Sequence, residues 1–569
     1  MKWKEKSVDR DTVEILAESL GLEPSWVEIL VKRDVATQEE AERFLYPKLS
    51  YLNDPFELQN VDKIVRRLLR AIDNREKLLI LGDYDVDGLT STTLMILLLR
   101  RFGLDPDIIV PRRLDEGYGL SQEVIERSLK EKEKPNLFIV LDCGTNSLEE
   151  VQWLASQNID VIIIDHHRSK ESLPENCLLL NPHTHDNDPH YAKQFCTVGL
   201  VFKVMHALVK MLRETEHPEA FSIKMRNYLD LVAMGTVADL VPLRDENRIL
   251  ARFGLEQIPE SDLPGVQALC RVSGVEGNSV TPADVSFKLA PRINASGRLA
   301  DALLPLKMLI SSSYKEAFAI AGELNKMNKE RQLIERDMAR EAEQTVLKDQ
   351  ANAAAIIVYN PEWHPGVVGI VAGRLMRDFN RTAIVLGGEG ELAKGSGRSI
   401  EGVNLVEVMG QCKELLESWG GHPMAAGISL LAKNVDAFRE KFNAIVQEKI
   451  QQGLPLPELE ITQWIEPHNI NRNFMHFLDL LQPFGMENPE PIFGIRNVRI
   501  KHSPDFFGEN NAHVRFLLST CDTNAVSVVG WNMSDRPPPA YTAIDIAFKL
   551  VWNRWNNREE IQVQLIDWL

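Results

Sequence analysis

The run Lys77-Leu78-Leu79-Ile80-Leu81-Gly82 passes directly into Asp83-Tyr84-Asp85-Val86-Asp87-Gly88. An apolar stretch of strand length that ends in alternating carboxylates leaves few folds open. Burying even one unpaired carboxylate costs several kcal/mol or forces it to take up a proton. Three together make chemical sense where divalent cations supply the missing charge. The pattern D-x-D-x-D-G also opens a calcium-binding EF-hand loop, which needs a bidentate Glu at its twelfth position. Counted from Asp83, that position is Leu94, and an apolar run stands where a helix should precede the loop. The EF-hand reading fails.

The same design recurs downstream. Leu137-Phe138-Ile139-Val140-Leu141 ends at Asp142-Cys143-Gly144-Thr145, and Val161-Ile162-Ile163-Ile164 ends at Asp165-His166-His167. Helical patterns lie between these runs, from Ser91 to Arg101, closed by Gly103, and from Ser147 to Ser156. Continuous apolar strands alternating with helices predict a parallel sheet covered on both faces. In such sheets ligands gather beyond the carboxyl ends of the strands, where each of these acids and histidines falls. An apolar helix from Tyr228 to Leu243 adds Asp239 near its end. One Asp after a strand is often a helix N-cap, and a lone His pair is often incidental. Five or more such ligands at successive strand ends are a different matter. Carboxylates with one imidazole suit Mn²⁺ or Mg²⁺ better than zinc. This composition is that expected of a two-metal centre hydrolysing a phosphoester.

A chain of 569 residues is expected to make three or four domains. Six cysteines without a C-x-x-C pair, and no signal peptide, point to a reducing cytoplasm without disulfides or structural zinc. No apolar run is long enough to span a membrane. The net charge of −18 argues against broad non-specific duplex binding, yet it permits a narrow basic channel on an acidic body.

Residues 1–60 read as a helical segment, 61–265 as the α/β catalytic domain and 266–350 as a helical connector. The connector ends in a long amphipathic helix from Tyr314 to about Lys348, with Leu324, Met327, Ile334, Met338 and Ala342 on one stripe. Residues 351–450 read as a second α/β domain, with strands at Ala354–Tyr359 and Thr382–Leu386. Its glycine-dense pieces, Lys394–Ser399 and Gly420–Gly427, suit anion cradles, with Ser396, Arg398 and Ser399 as side-chain donors. Past Pro455-Leu456-Pro457, residues 455–569 alternate as short strands near 498–500, 513–517, 525–529, 544–550 and 561–565. Five such strands suit an OB-fold barrel, which stacks single-stranded bases on aromatics. Phe506, Phe507, Phe516, Trp531, Trp552 and Trp555 are the candidates, most of them expected in the barrel core. The His183–His190 segment carries ligand-type residues at close spacing but reads as a solvated loop.

The succession D-x-D-x-D-G, D-x-G-T, D-H-H and G-T-V-A-D resembles the DHH phosphoesterase superfamily. Gly420-Gly421-His422-Pro423-Met424-Ala425-Ala426-Gly427 resembles the G-G-H-x-x-A-A-G hallmark of its companion substrate domain. Gly117-Tyr118-Gly119-Leu120, Pro291–Arg298 and Lys394–Ser399 narrow the likeness to the bacterial 5′→3′ exonucleases of that superfamily, which are specific for single-stranded DNA. The resemblance runs from about residue 50 to the C-terminus and implies the same terminal barrel. It implies that Asp142 bridges two Mn²⁺ or Mg²⁺ ions. Asp85, helped by Asp83, would hold one ion, and Asp87, His166 and Asp239 the other, with His167 at the scissile phosphate. Asp142, His166 and His167 would then be the catalytic set. Arg113, Arg298, Ser396, Arg398, Ser399 and His422 would grip the 5′-terminal phosphate and the next nucleotide. Some members carry a His just before the first motif where this chain has Leu81, so one ion would have a ligand fewer. The expected partners are single-stranded DNA with a 5′ end and a single-strand-binding protein or helicase acting in repair and recombination. The expected state is a monomer. Two other readings are weaker. A small-substrate phosphoesterase, acting on pyrophosphate or short oligonucleotides, would not need the barrel. A non-catalytic replication scaffold would have lost several of the carboxylates.

Overall fold

The computed structural model describes residues 2–112, 116–117, 119–169, 172–275, 277, 279–299, 302–388, 390–453, 455, 458–500, 502–518, 526–555 and 558–569. The strand Lys2–Glu5 (β1) opens the chain and is followed by three helices, Arg10–Leu20, Pro24–Val31 and Gln38–Leu45.

The catalytic sheet consists of β2 (Leu78–Gly82), β3 (Asp107–Ile109), β4 (Leu137–Leu141), β5 (Asp160–Ile164) and β6 (Leu178–Leu180). They pair in the order β3-β2-β4-β5-β6, and every pairing is parallel. All residues of β2 and β4 are buried, as continuous apolar runs with helices on both faces require. The two edge strands have only three residues each, too short to register as apolar periodicity. After β2 the chain steps outward to β3 and then returns to β4 on the other side of β2. The crevice between the ends of β2 and β4 is therefore the topological switch point, where ligands bind in such sheets. Asp83 and Asp142 stand at those two ends.

The helix Tyr314–Asp349 is 36 residues long, about 54 Å at 1.5 Å per residue. Its first half joins the catalytic core through Ala317, Ala321 and Leu324. Its second half joins another core through Met338, Ala342 and Val346. One rigid rod thus belongs to two hydrophobic cores. The sheet it supports there consists of β7 (Ile356–Tyr359), β8 (Ala383–Gly387), β9 (Leu392–Arg398), β10 (Ser418–His422) and β11 (Ala425–Leu431), in the order β10-β11-β9-β8-β7.

The C-terminal sheet has seven strands rather than the five read from alternation. Its two long strands, Ala543–Trp555 and Arg558–Trp568, form a hairpin between Phe493–Arg499 and Val526–Gly530. Leu456 and Pro457 of the expected linker lie outside the described residues. The N-terminal segment, which offers no chemistry of its own, completes this body. Lys2–Glu5 runs parallel to Glu458–Ile461, and Val13, Leu16, Val27 and Leu30 share one core with Phe493, Ile546, Phe548 and Val563. Arg248, from the catalytic domain, fastens the joint. It donates to the carbonyls of Phe44, Leu480 and Leu481 and lies 3.9 Å from the centre of the Phe44 ring.

Candidate active site

The first carboxylates are set by a tight strand-to-helix turn. A Cβ at Gly82 would overlap Thr92 Oγ1, and one at Gly88 would lie 2.5 Å from the Asp83 carbonyl oxygen. Only glycine lets the helix Val86–Arg101 start so close to β2. Asp85 caps that helix by accepting from the Gly88 N–H at 3.1 Å. Asp87 is buried in its first turn. Its two carboxylate oxygens accept from the backbone N–H groups of Thr197, at 2.7 Å, and Val198, at 2.8 Å. Those groups open the helix Thr197–Glu214, whose dipole favours a negative charge at that end. The Thr197 hydroxyl donates to Asp142 Oδ1 at 2.8 Å. Asp142 itself has φ +66°, a left-handed conformation that Asp tolerates better than most residues and that turns its carboxylate inward.

Asp165 does a different job. It accepts from the backbone N–H groups of Thr145, His166 and His167 and from His167 Nδ1 at 2.8 Å. Burial works against its ionisation, but the bond from His167 wins and holds the carboxyl at about 2. Burial likewise opposes a charge on His167, yet the bond to Asp165 and its charge lift the imidazole to about 9. His167 is therefore a cation at neutral pH. His166 is the opposite case. Burial first, and then the charge of His167, lower it to about 3, so it is neutral. Its Nε2 is buried without a hydrogen-bond partner, 3.4 Å from Asp239, 3.6 Å from Asp142 and 4.0 Å from Asp87.

These side chains fall into groups whose ligand atoms lie within 4.8 Å of one another: Asp83, Asp85 and Asp142; Asp87, His166 and Asp239; and Asp142, His166 and His167. Asp142 belongs to two of them. Burial, and then the charge of Asp85, raise Asp87 to about 6. Burial followed by Asp87 raises Asp239 to about 8 and pushes Asp142 well up. Carboxylates so placed resist being ionised together unless cations stand between them. An imidazole nitrogen aimed at three carboxylates without a hydrogen bond fits the same demand. The donor set, oxygen-rich with one nitrogen, fits Mn²⁺ or Mg²⁺.

Across the cleft, Arg398 Nη1 donates to Ser396 Oγ and to the Gly397 carbonyl, both at 2.8 Å. A Cβ on Gly369, in the first turn of the helix Val368–Phe379, would lie 3.2 Å from Ser396 Oγ and 3.4 Å from Arg398 Nη2. The sheet sets Ala425 beside Arg398 and exposed His422 beside Ala425. Arg298 donates to the Gly366 carbonyl at 3.1 Å. Its neighbour Gly297 stands against the Tyr84 carbonyl, so the helix Ala290–Leu299 touches both walls of the cleft. Ser399 is buried instead. Its hydroxyl donates to the Val403 carbonyl at 2.7 Å and lies 3.0 Å from Thr382 Oγ1. Arg113 lies outside the described residues.

In the His183–His190 loop the ligand-type side chains do not converge on a metal position among the described residues. The loop is not wholly solvated either, since Asp188 is buried and accepts from the Gln59 N–H at 2.8 Å. Of the barrel aromatics, Phe516 is core, while Phe506 and Trp531 are about half exposed, at 47% and 48%. Phe507, His513 and Trp531 form one cluster with ring centres 4.8–5.7 Å apart. The Trp552 indole N–H donates to Asp479, and the Trp555 side chain lies outside the described residues. Sequence reasoning missed Thr197, which organises two carboxylates, and the purely orienting role of Asp165. The first carries no local signal, because Asp87 is 110 residues away.

Residues 77–236 match the DHH family N-terminal domain and residues 352–448 match the DHHA1 domain. The fold and the acidic site thus define a phosphoesterase of the DHH class. Residues 461–567 match the RecJ OB domain. The chain is 35% identical over its whole length to the single-stranded-DNA-specific exonuclease RecJ of Bacillus subtilis, covering 70% of that protein. It is 34% identical to the Escherichia coli RecJ over 87% of this chain and 86% of that one. A crystal structure of RecJ in complex with Mn²⁺ from Thermus thermophilus superposes with a TM-score of 0.85 at 28% identity, covering all of this chain and 79% of the other. The chain belongs to the RecJ family.

Proposed function

We infer that the protein is a divalent-metal-dependent exonuclease that degrades single-stranded DNA from its 5′ end to 5′-mononucleotides. The observation that carries this reading is the pair of ligand groups at the switch point, Asp83–Asp85–Asp142 and Asp87–His166–Asp239, facing an arginine-bearing wall. Two bound ions supply a water activated at neutral pH and neutralise charge on the leaving oxygen.

The remaining work falls to the chain itself. Asp142 stands between the two groups and serves both. His167, kept protonated by Asp165, donates to a non-bridging oxygen of the scissile phosphate. Arg298, Ser396, Arg398 and His422 receive the 5′-terminal phosphate beside the first turn of the helix Val368–Phe379. A terminal phosphomonoester carries more charge than an internal diester, so a pocket with two arginines reads the end of a strand and sets the polarity. On the barrel, Phe506, Phe507 and Trp531 offer ring faces, with Arg515 5.9 Å from the Phe507 ring centre. Stacking of this kind tolerates any base and requires unpaired ones. A cytoplasmic role in repair and recombination, with delivery by a single-strand-binding protein or helicase, completes the reading.

The deciding experiment is Mn²⁺-dependent digestion of an oligonucleotide labelled at its 3′ end, single-stranded and as blunt duplex, with Asp142→Ala alongside. A ladder shortening from the 5′ end on single strand only, absent with the variant, is the expected result. Cleavage confined to di- or trinucleotides would replace this reading with a small-substrate phosphoesterase.

A further inference from the structure

In the catalytic domain the ligand groups Asp83–Asp85–Asp142 and Asp87–His166–Asp239 account for the scissile phosphate, but not for the strand beyond it. Three side chains around the histidine pair have no assigned task. Arg168 follows His167 directly and is exposed. His183 follows β6 at the ligand-binding edge of the sheet and is half-buried. Lys193 sits in the short helix His190–Gln194, just ahead of Thr197. The backbone at the first two of them is fixed by hydrogen bonds. Asn181, fully buried, donates from Nδ2 to the His167 carbonyl at 2.8 Å and to Thr145 Oγ1 at 2.9 Å, and its Oδ1 accepts from the His183 N–H at 3.0 Å. One side chain thereby ties the backbone of His183 to that of His167. The Arg168 carbonyl is held by Asn146 Nδ2 at 3.4 Å. Burial, and then the nearby charges of Arg168 and Lys193, lower the His183 imidazole below its ordinary value.

Among the described residues neither Arg168 nor Lys193 has an ion-pair partner, although the chain carries 18 more acidic than basic residues. Two cations left uncompensated beside a dense acidic site point to an anion supplied from outside. The 5′-terminal phosphate is already claimed by the opposite wall. The anions left for this rim are the phosphodiesters that follow the scissile one.

We propose that Arg168, His183 and Lys193 form a phosphate-positioning rim on the catalytic domain that holds the backbone of single-stranded DNA on the 3′ side of the cleaved bond. This rests on the exonuclease reading and adds to it the path of the retained strand. The rim touches backbone only, so it is indifferent to base identity.

The test compares the intact protein with the triple variant R168Q/H183Q/K193Q in Mn²⁺, on a 20-nucleotide strand and on a 5′-phosphorylated dinucleotide. The dinucleotide has no phosphodiester beyond the scissile one. The expected result is a rise in KM of about 10-fold or more on the long strand, with dinucleotide cleavage unchanged. The slope of log KM against log salt should become shallower by about 1.4, close to 0.7 per charge removed from a single-strand contact. Unchanged dinucleotide cleavage by the triple variant excludes misfolding, and a charge-keeping variant, R168K with the other two positions intact, should stay near the parent on the long strand. Equal losses on both substrates would overturn the proposal, because the rim would then serve the chemical step or the fold. No change on either substrate would overturn it as well. Failure of the parent protein to shorten any single strand would sink the exonuclease reading itself, and that result is distinguishable from both.

Discussion

The carboxylate of Asp165 accepts a hydrogen bond from His167 Nδ1 at 2.8 Å while three backbone N–H groups occupy its other lone pairs. The middle of the Asp-His-His triplet thus faces the metal groups, and its first residue faces inward to aim the last. An orienting carboxylate behind a functional imidazole is a recurrent arrangement, and its loss usually costs about 10- to 100-fold in activity or metal affinity. Asp165→Asn should lower kcat on single-stranded DNA by that factor and leave KM nearly unchanged. A steady-state titration checks it, and a rise in KM with constant kcat would refute the orienting role.

Asp142 should invert its effect on stability with metal. In chelator, Asp142→Asn removes one of several buried, mutually repelling carboxylates and should melt above the parent. In Mn²⁺ the order should reverse, because ligand binding to the folded state adds about 2.7 kcal/mol at 100 times Kd and the variant binds poorly. Melting curves of both proteins in both conditions decide it.

Asp230 provides a pH test away from the site. It is fully buried, and burial raises it to about 6 although Ser261 and the Leu231 N–H donate to it. A raised folded-state value favours the protonated form. Its stabilising contribution is complete below about 3.8 and is lost as pH climbs through 6. The cost at pH 7 is about 3 kcal/mol, at 1.36 kcal/mol per unit. Asp230→Asn should therefore gain on the parent between pH 4 and pH 7, and a flat difference in Tm would contradict the shift.

Gly82→Ala should be among the most damaging single changes. The added Cβ overlaps Thr92 Oγ1 and lies 3.1 Å from the Gly88 carbonyl oxygen, so the helix must back away from β2. Overpacking of this kind costs about 1–3 kcal/mol or more. Loss of soluble protein or a sharply lowered Tm is expected, and a parent-like melting curve would show that the turn can yield.

The barrel aromatics should separate into two classes. Trp531→Ala should weaken single-strand binding by about 1–3 kcal/mol, the worth of one stacked base, without altering the melting curve. Phe516→Ala should do the reverse and destabilise the barrel by about 3–5 kcal/mol, because its ring is in the core. Fluorescence anisotropy with a labelled oligonucleotide, paired with thermal melts, distinguishes them.

Much of the catalytic domain was legible because its signals are local. The strands β2 and β4, and β5 after its first residue Asp160, are buried continuous apolar runs, and the acids that matter follow each run within a few residues. Their metal-binding chemistry could be read from residue type and spacing, whereas the grouping of Asp83 and Asp85 apart from Asp87 came only from the family resemblance. The glycines of Lys394–Ser399 marked that segment as an anion cradle for the same reason. Ser399 looked equivalent to Ser396 in sequence, yet it is buried against Val403 and Thr382. Three residues apart on a strand that ends between them, the two serines meet different surroundings, and only the fold shows which.

The parallel sheet, the position of its ligand-bearing ends and the carboxylate-rich composition of the site are written locally in the chain, because strand periodicity and turn chemistry act over a few residues. The tertiary structure alone decided the rest. It brought the N–H groups of Thr197 and Val198 to Asp87, docked the first helices onto the terminal barrel, and set one long helix in two cores. The first of these joins residues 110 positions apart, and the second buries the two ends of the chain together. Such pairings are selected by how whole surfaces pack and by which buried polar groups find partners, and no window of sequence records either.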